Sequence, residues 1–262
     1  MELRLKDSVV SILIKLAMPL TLLVIWELLA IYINNPVILP RVEDVLKILL
    51  HPTVDLLGTG SLVSNALISI KRVLSGFIIA SLLAVPLGIL MGYFTVINAL
   101  FDTVIELFRP IPPLAWVPLS LAWFGIGEVS MVFIIFIGAF FPILINTISG
   151  VKGVPKPLIE AALTLGAKKR DILIKVVIPA SSPSILTGLR VGIGIAWMCV
   201  VAAEMLPGSN SGLGYLITYA YSLSRMDIVI AAMIVIGLIG LILDRGLRYI
   251  EKKYFFWRTA MK

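Results

Sequence analysis

Residues able to do chemistry are few and scattered in this sequence. His51 is the only histidine and Cys199 the only cysteine among 262 residues, and Cys199 lies in an apolar run. These counts exclude a histidine metal cluster and an internal disulfide, and the acids have no histidine or cysteine partner to complete a catalytic set. No stretch reads G-x-x-x-x-G-K-[ST], so the chain lacks a P-loop for ATP phosphates. We predict a protein that is not an enzyme and that holds no metal or cofactor itself.

The densest polar chemistry lies in residues 160–181, which read EAALTLGAKKRDILIKVVIPAS. Pro155 and Pro157 precede this segment, and proline costs little at the start of a helix because its missing N–H would be unpaired there. A helix is therefore predicted from Leu158. Glu160 should fall in its first turn, where the helix dipole favours a carboxylate.

The remainder of this segment predicts a helical hairpin. Gly166 permits a turn, and a second short amphipathic helix is predicted from about Lys168 to Val177, which Pro179 should end before the next span. We interpret residues 150–183 as a docking element for another protein, because the segment is too long for a turn between spans. The alternative is an ordinary amphipathic loop. The candidate docking residues are Glu160, Ala161, Ala162, Gly166, Ala167 and Lys168.

A second set of candidates lies in apolar sequence. Asp102, Glu106 and Arg109 share one helix face. This predicts either a charged cluster at the cytoplasmic mouth of a pathway, or a set at the membrane interface that snorkels or pairs internally and so neutralises itself. The prolines from Pro110 to Pro118 would break a membrane helix, either to line a pathway or to make a packing kink. The candidate pathway residues are Arg109, Pro112, Pro113, Trp116, Trp197 and Glu204.

Several of these candidates have structural alternatives. Trp116 and Trp197 could line a pathway, but tryptophans at these depths are more often core or interfacial residues. Glu27 and Glu204 favour structural hydrogen bonding, with Glu204 holding the following loop, PGSNSGLGYL, against the helix ends. The pairs Gly88–Gly92 and Gly188–Gly192 permit close helix packing, either within one chain or between two copies.

The composition places all of these residues in a membrane protein. The chain is 60% hydrophobic and 14% charged, with a mean hydropathy of +1.06, whereas globular domains are about 45–50% apolar and about 25% charged. One soluble core cannot hide this excess. We predict an all-α fold, a polytopic transmembrane helical bundle.

Six spans are predicted, since a bilayer-crossing helix needs about 20 mostly apolar residues. The stretch 97–124 reaches that length only with its polar half included, and the N-terminal run is read as a retained helix because no cleavage site follows it. The other five segments are clearly apolar: 12–33, 73–94, 129–149, 184–206 and 228–250.

Basic residues orient these spans. Sixteen of the 22 lysines and arginines lie in the N-terminal segment, in residues 150–190 and in the C-terminal tail. With six spans, all three regions and both termini lie on the same side of the membrane. The positive-inside rule predicts that this side is cytoplasmic. Residues 34–64 become the longest outside loop, and LPRVEDVLKILL within it predicts an amphipathic helix at the interface.

The docking segment carries a resemblance. The pattern EAA-x3-G-x9-V-x-I-P at residues 160–179 resembles the EAA loop of ABC-importer permeases, with Val176 and Ile178 as conservative departures from isoleucine and leucine. RPIPPLAWVPLSLAWFG (109–125), AWMCVVAAEML (196–206) and SGLGYLI (211–217) are similar to the branch that imports nitrate, sulfonates, taurine or bicarbonate. The resemblance covers most of the chain.

The resemblance implies a role and a set of partners. Residues 1–262 would be a single permease domain of the type I ABC-importer fold in a prokaryotic cell membrane. Two copies would form a homodimer with two ATPase subunits, which bind ATP and Mg²⁺, and with an extracytoplasmic substrate-binding protein; no nucleic acid is expected. The EAA loop would be the coupling helix that docks on the ATPase.

The substrate and the outside alternatives stay open. Small oxyanions or sulfonates lead by resemblance, and vitamin-precursor heterocycles such as hydroxymethylpyrimidine or riboflavin are the second choice. A stand-alone channel or carrier would need no docking loop. A small membrane enzyme would need a convergent catalytic set near the interface.

Overall fold

The computed structural model describes the backbone of residues 2–254 and the side chains of residues 17–249, 251 and 253. The described residues form helices joined by short loops, with no strand among them, which confirms the all-α prediction. In chain order the helices are α1 (Glu2–Ile33), α2 (Val42–Leu50), α3 (Leu62–Tyr93), α4 (Thr95–Phe108), α5 (Val117–Phe124), α6 (Glu128–Lys152), α7 (Lys156–Thr164), α8 (Lys169–Ile172), α9 (Ile178–Glu204), α10 (Leu213–Ser222) and α11 (Met226–Tyr254).

Four stretches of the described chain are helical, long and apolar enough to cross a membrane: Leu62–Tyr93, Glu128–Lys152, Lys169–Glu204 and Met226–Tyr249. Two shorter apolar stretches, Ala17–Ile33 and Pro113–Phe124, fall where the other two spans were predicted. The total of six and the cytoplasmic side of both termini stay predictions. Residues 255–262, which carry part of the basic tail, lie outside the described residues.

The third helix begins earlier than the sequence predicted. The expected start near residue 73 is wrong, because α3 begins at Leu62 and contains Lys71 and Arg72. The predicted span of residues 73–94 left Lys71 and Arg72 outside it. Arg72 instead lies buried, with the carboxylate of Glu204 2.9 Å away. Because its charge is paired, α3 continues through this position without a break.

The chain divides into two compact units. The first unit comprises the described residues up to Ser64 together with Leu216–Val235. The second unit comprises Asn65–Tyr215 and the described residues from Ile236 onward, and it holds every candidate docking and pathway residue. The boundaries fall within α3, α10 and α11.

In the first unit, polar side chains of α1 fasten the predicted interfacial helix α2. Glu27 Oε2 accepts a hydrogen bond from the backbone N–H of Val42 at 2.9 Å, and Trp26 Nε1 donates to the carbonyl of Pro40 at 2.9 Å. Arg41, the residue before α2, supplies no side-chain cap, so Glu27 takes that role. The structure therefore contains both predicted features: Glu27 makes a structural hydrogen bond, and LPRVEDVLKILL contains a helix.

In the second unit, small residues let α6 lie close to both of its neighbours. A Cβ placed on Gly88 or Gly92 of α3 would come within 2.7 Å of Thr147 Cβ or 2.5 Å of Val151 Cβ on α6. On the other side, a Cβ on Gly188 of α9 would lie 2.8 Å from Asn146 Cβ. The glycine pairs therefore serve packing within one chain.

Proline divides the predicted span at residues 97–124 into two helical pieces. Helix α4 ends at Phe108, a short 3-10 turn covers Pro113–Trp116, and α5 begins at Val117. Neither piece reaches the length of a spanning helix. The break confirms that the prolines interrupt a helix in this region.

We expect that Gly188→Ala will destabilise the protein, because the new methyl group meets the α6 backbone, with Ile143 O at 3.2 Å, and cannot be accommodated by side-chain rotation alone. Overpacking of about 2 kcal/mol corresponds to a fall of roughly 5 °C in the melting midpoint of the detergent-solubilised protein. Gly194→Ala is the matched control in the same helix, since nothing lies within 4 Å of its Cβ; its midpoint should hold or rise slightly. Equal shifts would contradict this packing.

Candidate functional site

The predicted docking element is a helical hairpin at one end of α6 and α9. Helix α7 follows α6 after three residues, and α8 begins at Lys169 on the return. A small apolar core of four buried side chains holds the hairpin to the helix ends: Val151, Val154, Ile172 and Val177. Tyr93 at the end of α3 also donates a hydrogen bond to the carbonyl of Lys169 at 3.1 Å. The hairpin is therefore fixed to three long helices.

The turn of the hairpin explains the glycine of the EAA pattern. Gly166 has φ +81, and its N–H donates to the carbonyl of Leu163 at 2.9 Å. The N–H of Ala167 reaches back to the carbonyl of Ala162 at 3.0 Å. This pair of bonds is a Schellman cap, which needs a left-handed residue just after the helix. No atom lies within 4 Å of a Cβ built on Gly166, so backbone conformation rather than crowding requires glycine.

The six candidate docking residues divide between two faces. Ala162 and Ala167 are half-buried and pack against the hairpin core. The others are exposed: Glu160, Ala161, Gly166 and Lys168. Half of the small-residue pattern therefore closes the hairpin itself, and only the remainder is free to meet a partner.

Two details of the sequence prediction are wrong. Helix α7 begins at Lys156 with Pro157 in its first turn, so Glu160 lies in the second turn, away from the N-terminal dipole. Pro179 does not end a helix. A π-helical turn, Leu173–Val177, joins α8 to α9, and Pro179 occupies the first turn of α9, where its missing N–H disrupts little. The chain is consequently helical from Lys169 to Glu204.

Sequence reasoning missed the exposed leucines of the hairpin. Leu165 is 88% exposed at the turn, and Leu163 is 54% exposed on α7. Leu165 stands next to the capping glycine, a position that helical periodicity assigns to neither face. These two side chains form an apolar tip flanked by the basic Lys168.

The candidate pathway residues do not form one cluster. Arg109 and Pro113 line a cavity midway along α6 and α9. Pro112 is exposed beside them, and the half-buried Trp116 packs its ring against Phe108, 5.7 Å between centroids. Arg109 makes no ion pair with Glu106 among the described residues, so the self-neutralised set is absent there.

The other two pathway candidates lie in closed surroundings. Trp197 is 6% exposed, and its Nε1 donates to the carbonyl of Ile236 at 3.1 Å. Glu204 is fully buried. A pathway role for either residue stays a prediction. Among the described residues, no three His, Cys, Asp or Glu side chains gather as a metal site.

Glu204 organises the end of the second unit opposite the hairpin. Its carboxylate accepts hydrogen bonds from Ser69 Oγ at 2.8 Å, Arg72 Nη1 at 2.9 Å and the N–H of Gly214 at 3.0 Å. Ser69 Oγ accepts in turn from the N–H of Leu213 at 3.0 Å. The first N–H groups of α10 are thus capped by side chains of other helices.

The loop before α10 is bound to the same network. Arg72 Nη1 donates to the carbonyl of Ser211 at 2.7 Å, and Asn65 Oδ1 accepts from the N–H of Gly212 at 2.8 Å. Gly212 has φ +105, and a Cβ there would collide with the Glu204 carboxylate. This geometry explains the glycines in the sequence SGLG. It is also the arrangement expected from the sequence, in which Glu204 holds the following loop against the helix ends.

Comparison with known proteins decides the family. The family described as "binding-protein-dependent transport system inner membrane component" matches residues 84–256. The chain belongs to this family. Its members are permease subunits of ABC importers, which work with an ATPase and a binding protein, and the chain is accordingly a multi-pass protein of the inner membrane.

Relatives of this permease cover nearly its whole length. An ABC transporter permease protein of Methanocaldococcus jannaschii is 77% identical over 98% of this chain and 96% of its own. The bicarbonate transport permease of Synechococcus elongatus is 37% identical (92% and 89% covered), and the taurine transport permease of Escherichia coli is 35% identical (90% and 86%). In fold, the permease matches an inward-facing methionine ABC transporter with a TM-score of 0.58 at 19% identity, over 72% of this chain and 95% of that chain.

We expect Glu204→Gln to destabilise the permease by about 3 kcal/mol, because Arg72 would remain buried without its counter-charge. The melting midpoint should fall by roughly 6–12 °C. Glu128→Gln is the matched control: Glu128 is 3.9 Å from Arg72, but its side chain is 59% exposed. Its removal should change stability by less than about 1 kcal/mol. A larger loss at Glu128 would contradict the assignment of Glu204 as the partner.

We expect Gly166→Val to loosen the hairpin, since a β-branched residue is strained at positive φ. Strain of about 1–2 kcal/mol should speed tryptic cleavage at Lys168 to Arg170 about tenfold, measured by mass spectrometry of the fragments. Gly166→Asn is the control, because asparagine tolerates this conformation, and it should cleave nearly as slowly as the native chain. Equally fast cleavage of both variants would contradict the role of backbone conformation.

Proposed function

We propose that two copies of this permease form the pathway of an ATP-driven importer for small anions, with the hairpin docked on the ATPase. The observation that carries the docking proposal is the apolar tip, where Leu165 is 88% exposed next to a rigid cap. A leucine exposed to this degree at a projecting turn packs on little of the described chain. A cleft on an ATPase subunit would bury it together with Leu163 and the adjacent Ala161.

The hairpin is built to pass on the movement of a docked partner. Helix α8 continues through the π turn into α9 without a loop, and the hairpin core includes Val151 from α6. A displacement of the tip therefore moves the ends of α6 and α9 together. ATP and Mg²⁺ would bind the ATPase subunits, and their closure would pull the two hairpins and reorient the helices between outward and inward access.

The orientation and the substrate follow from charge and from relatives. The basic residues around the hairpin favour the cytoplasmic side, where an ATPase would lie. The taurine and bicarbonate relatives support a small substrate that carries an anionic group, of the nitrate, sulfonate, taurine or bicarbonate type, delivered by an extracytoplasmic binding protein. Uptake of a vitamin-precursor heterocycle instead would overturn this part of the proposal.

The test is purification of the tagged permease from gently solubilised membranes, followed by identification of a P-loop ATPase and measurement of ATP hydrolysis. Leu165→Asp should reduce the ATPase retained per permease about tenfold or more, as expected for an apolar anchor at an interface. Leu165→Met keeps the apolar contact and should retain the ATPase. Equal retention by Leu165→Asp would contradict docking through the tip. Absence of any ATPase from the native complex would contradict the importer itself.

A further inference from the structure

The cavity that contains Arg109 lies midway along two spanning helices. Its volume is about 340 Å³, and residues from the middle of α6 and α9 line it together with the segment between α4 and α5. Arg109 is the only charged residue of the lining, and Asn146 is the only other one with a polar side chain. The walls are otherwise isoleucine, valine, proline, glycine and phenylalanine.

Arg109 is exposed at the edge of the cavity, and it differs from the arginines of this unit that have a carboxylate partner. Arg72 lies 2.9 Å from Glu204, and Arg190 lies 2.8 Å from Asp244. Arg109 has no ion pair and no side-chain hydrogen bond to any residue that the structure describes. Its guanidinium therefore lines the cavity without a counter-charge among the described residues.

An unpaired cation beside an apolar cavity midway along two spanning helices is stabilised by a compensating group. A charge inside a membrane is costly, and such residues face cavities and mark the path of ions or substrates. The proline break at 110–113 supplies the opening, because irregular backbone in a membrane is tolerated where it lines a cavity. A bound anion would neutralise Arg109 and accept its hydrogen bonds.

We infer that Arg109 and this cavity form a transport subsite for a small solute with one anionic group, an alkanesulfonate or a carboxylate. The inference rests on the proposed function, and it locates part of the substrate selection in the permease itself. The guanidinium presents a rigid fork that matches oxyanions, while the apolar walls suit a short carbon chain. The volume is near the lower end for ligand sites, which excludes a large substrate. An uncharged heterocycle would leave the cation unpaired.

The test measures the charge preference of the cavity directly. Val191 lines the cavity and is 45% exposed, so Val191→Cys in a Cys199→Ala background places one reactive thiol there. The thiol is modified with 2-sulfonatoethyl methanethiosulfonate or with its trimethylammonium counterpart, and each rate is divided by the rate with free cysteine. The anionic reagent should be favoured about tenfold or more in the native cavity.

Three variants assign that preference. Arg109→Gln should abolish it, and Arg109→Lys should keep it because the charge remains. Lys152→Gln removes a cation at the hairpin end of α6, bonded to Asn98 and outside the cavity, and should also keep it. An equal preference in the native protein and in Arg109→Gln would overturn the inference.

A competition experiment tests the ligand class. Methanesulfonate should slow modification of the thiol, whereas methanesulfonamide, its uncharged analogue of similar size, should not. Protection by both compounds, or by neither, would overturn the assignment to anions. These readouts need neither the ATPase nor the binding protein, so a failure of hairpin docking would leave them unaffected and the two proposals can fail separately.

Discussion

The close approach of α6 to α3 and α9 is the contact on which the rest of the second unit depends. Glycines of α3 and α9 face branched side chains of α6 at distances that any Cβ would close. In a membrane there is no hydrophobic drive between helices, so such packing supplies the association. This three-helix core holds the hairpin at one end and the Arg72–Glu204 network at the other.

The core also accounts for the cavity between those ends. Helices α6 and α9 remain in contact along their length, but the polypeptide beside them is broken by proline between α4 and α5. A continuous helix would have filled the space along α6 with side chains. The break leaves it open and places Arg109 at the rim. The second unit is therefore held by side-chain contacts at both ends and has a cavity at its middle.

Sequence alone predicted the all-helical class, the helical hairpin and the proline break, because hydropathy, capping glycine and proline act locally. It missed the start of α3 at Leu62, since the burial of Arg72 depends on Glu204, 132 residues away in sequence. It also misplaced the end of the second hairpin helix, because the π turn before Pro179 is a tertiary accommodation. Ala162 and Ala167 point inward because they pack on the hairpin core. That core joins residues far apart in sequence, so the sequence pattern alone does not predict their direction.

The charged residues of this permease differ in whether the described residues include a partner of opposite charge. Arg72 and Arg190 each have a carboxylate within 3 Å. Replacing Arg72 would leave the buried Glu204 carboxylate without its counter-charge and would affect folding first. The exposed leucines and the unpaired Arg109 stabilise nothing that the structure describes, and both would be costly for a chain with no partner or ligand. The proposed protein partner at the hairpin tip and the proposed anion at Arg109 would therefore bind at two positions that the same pair of helices connects.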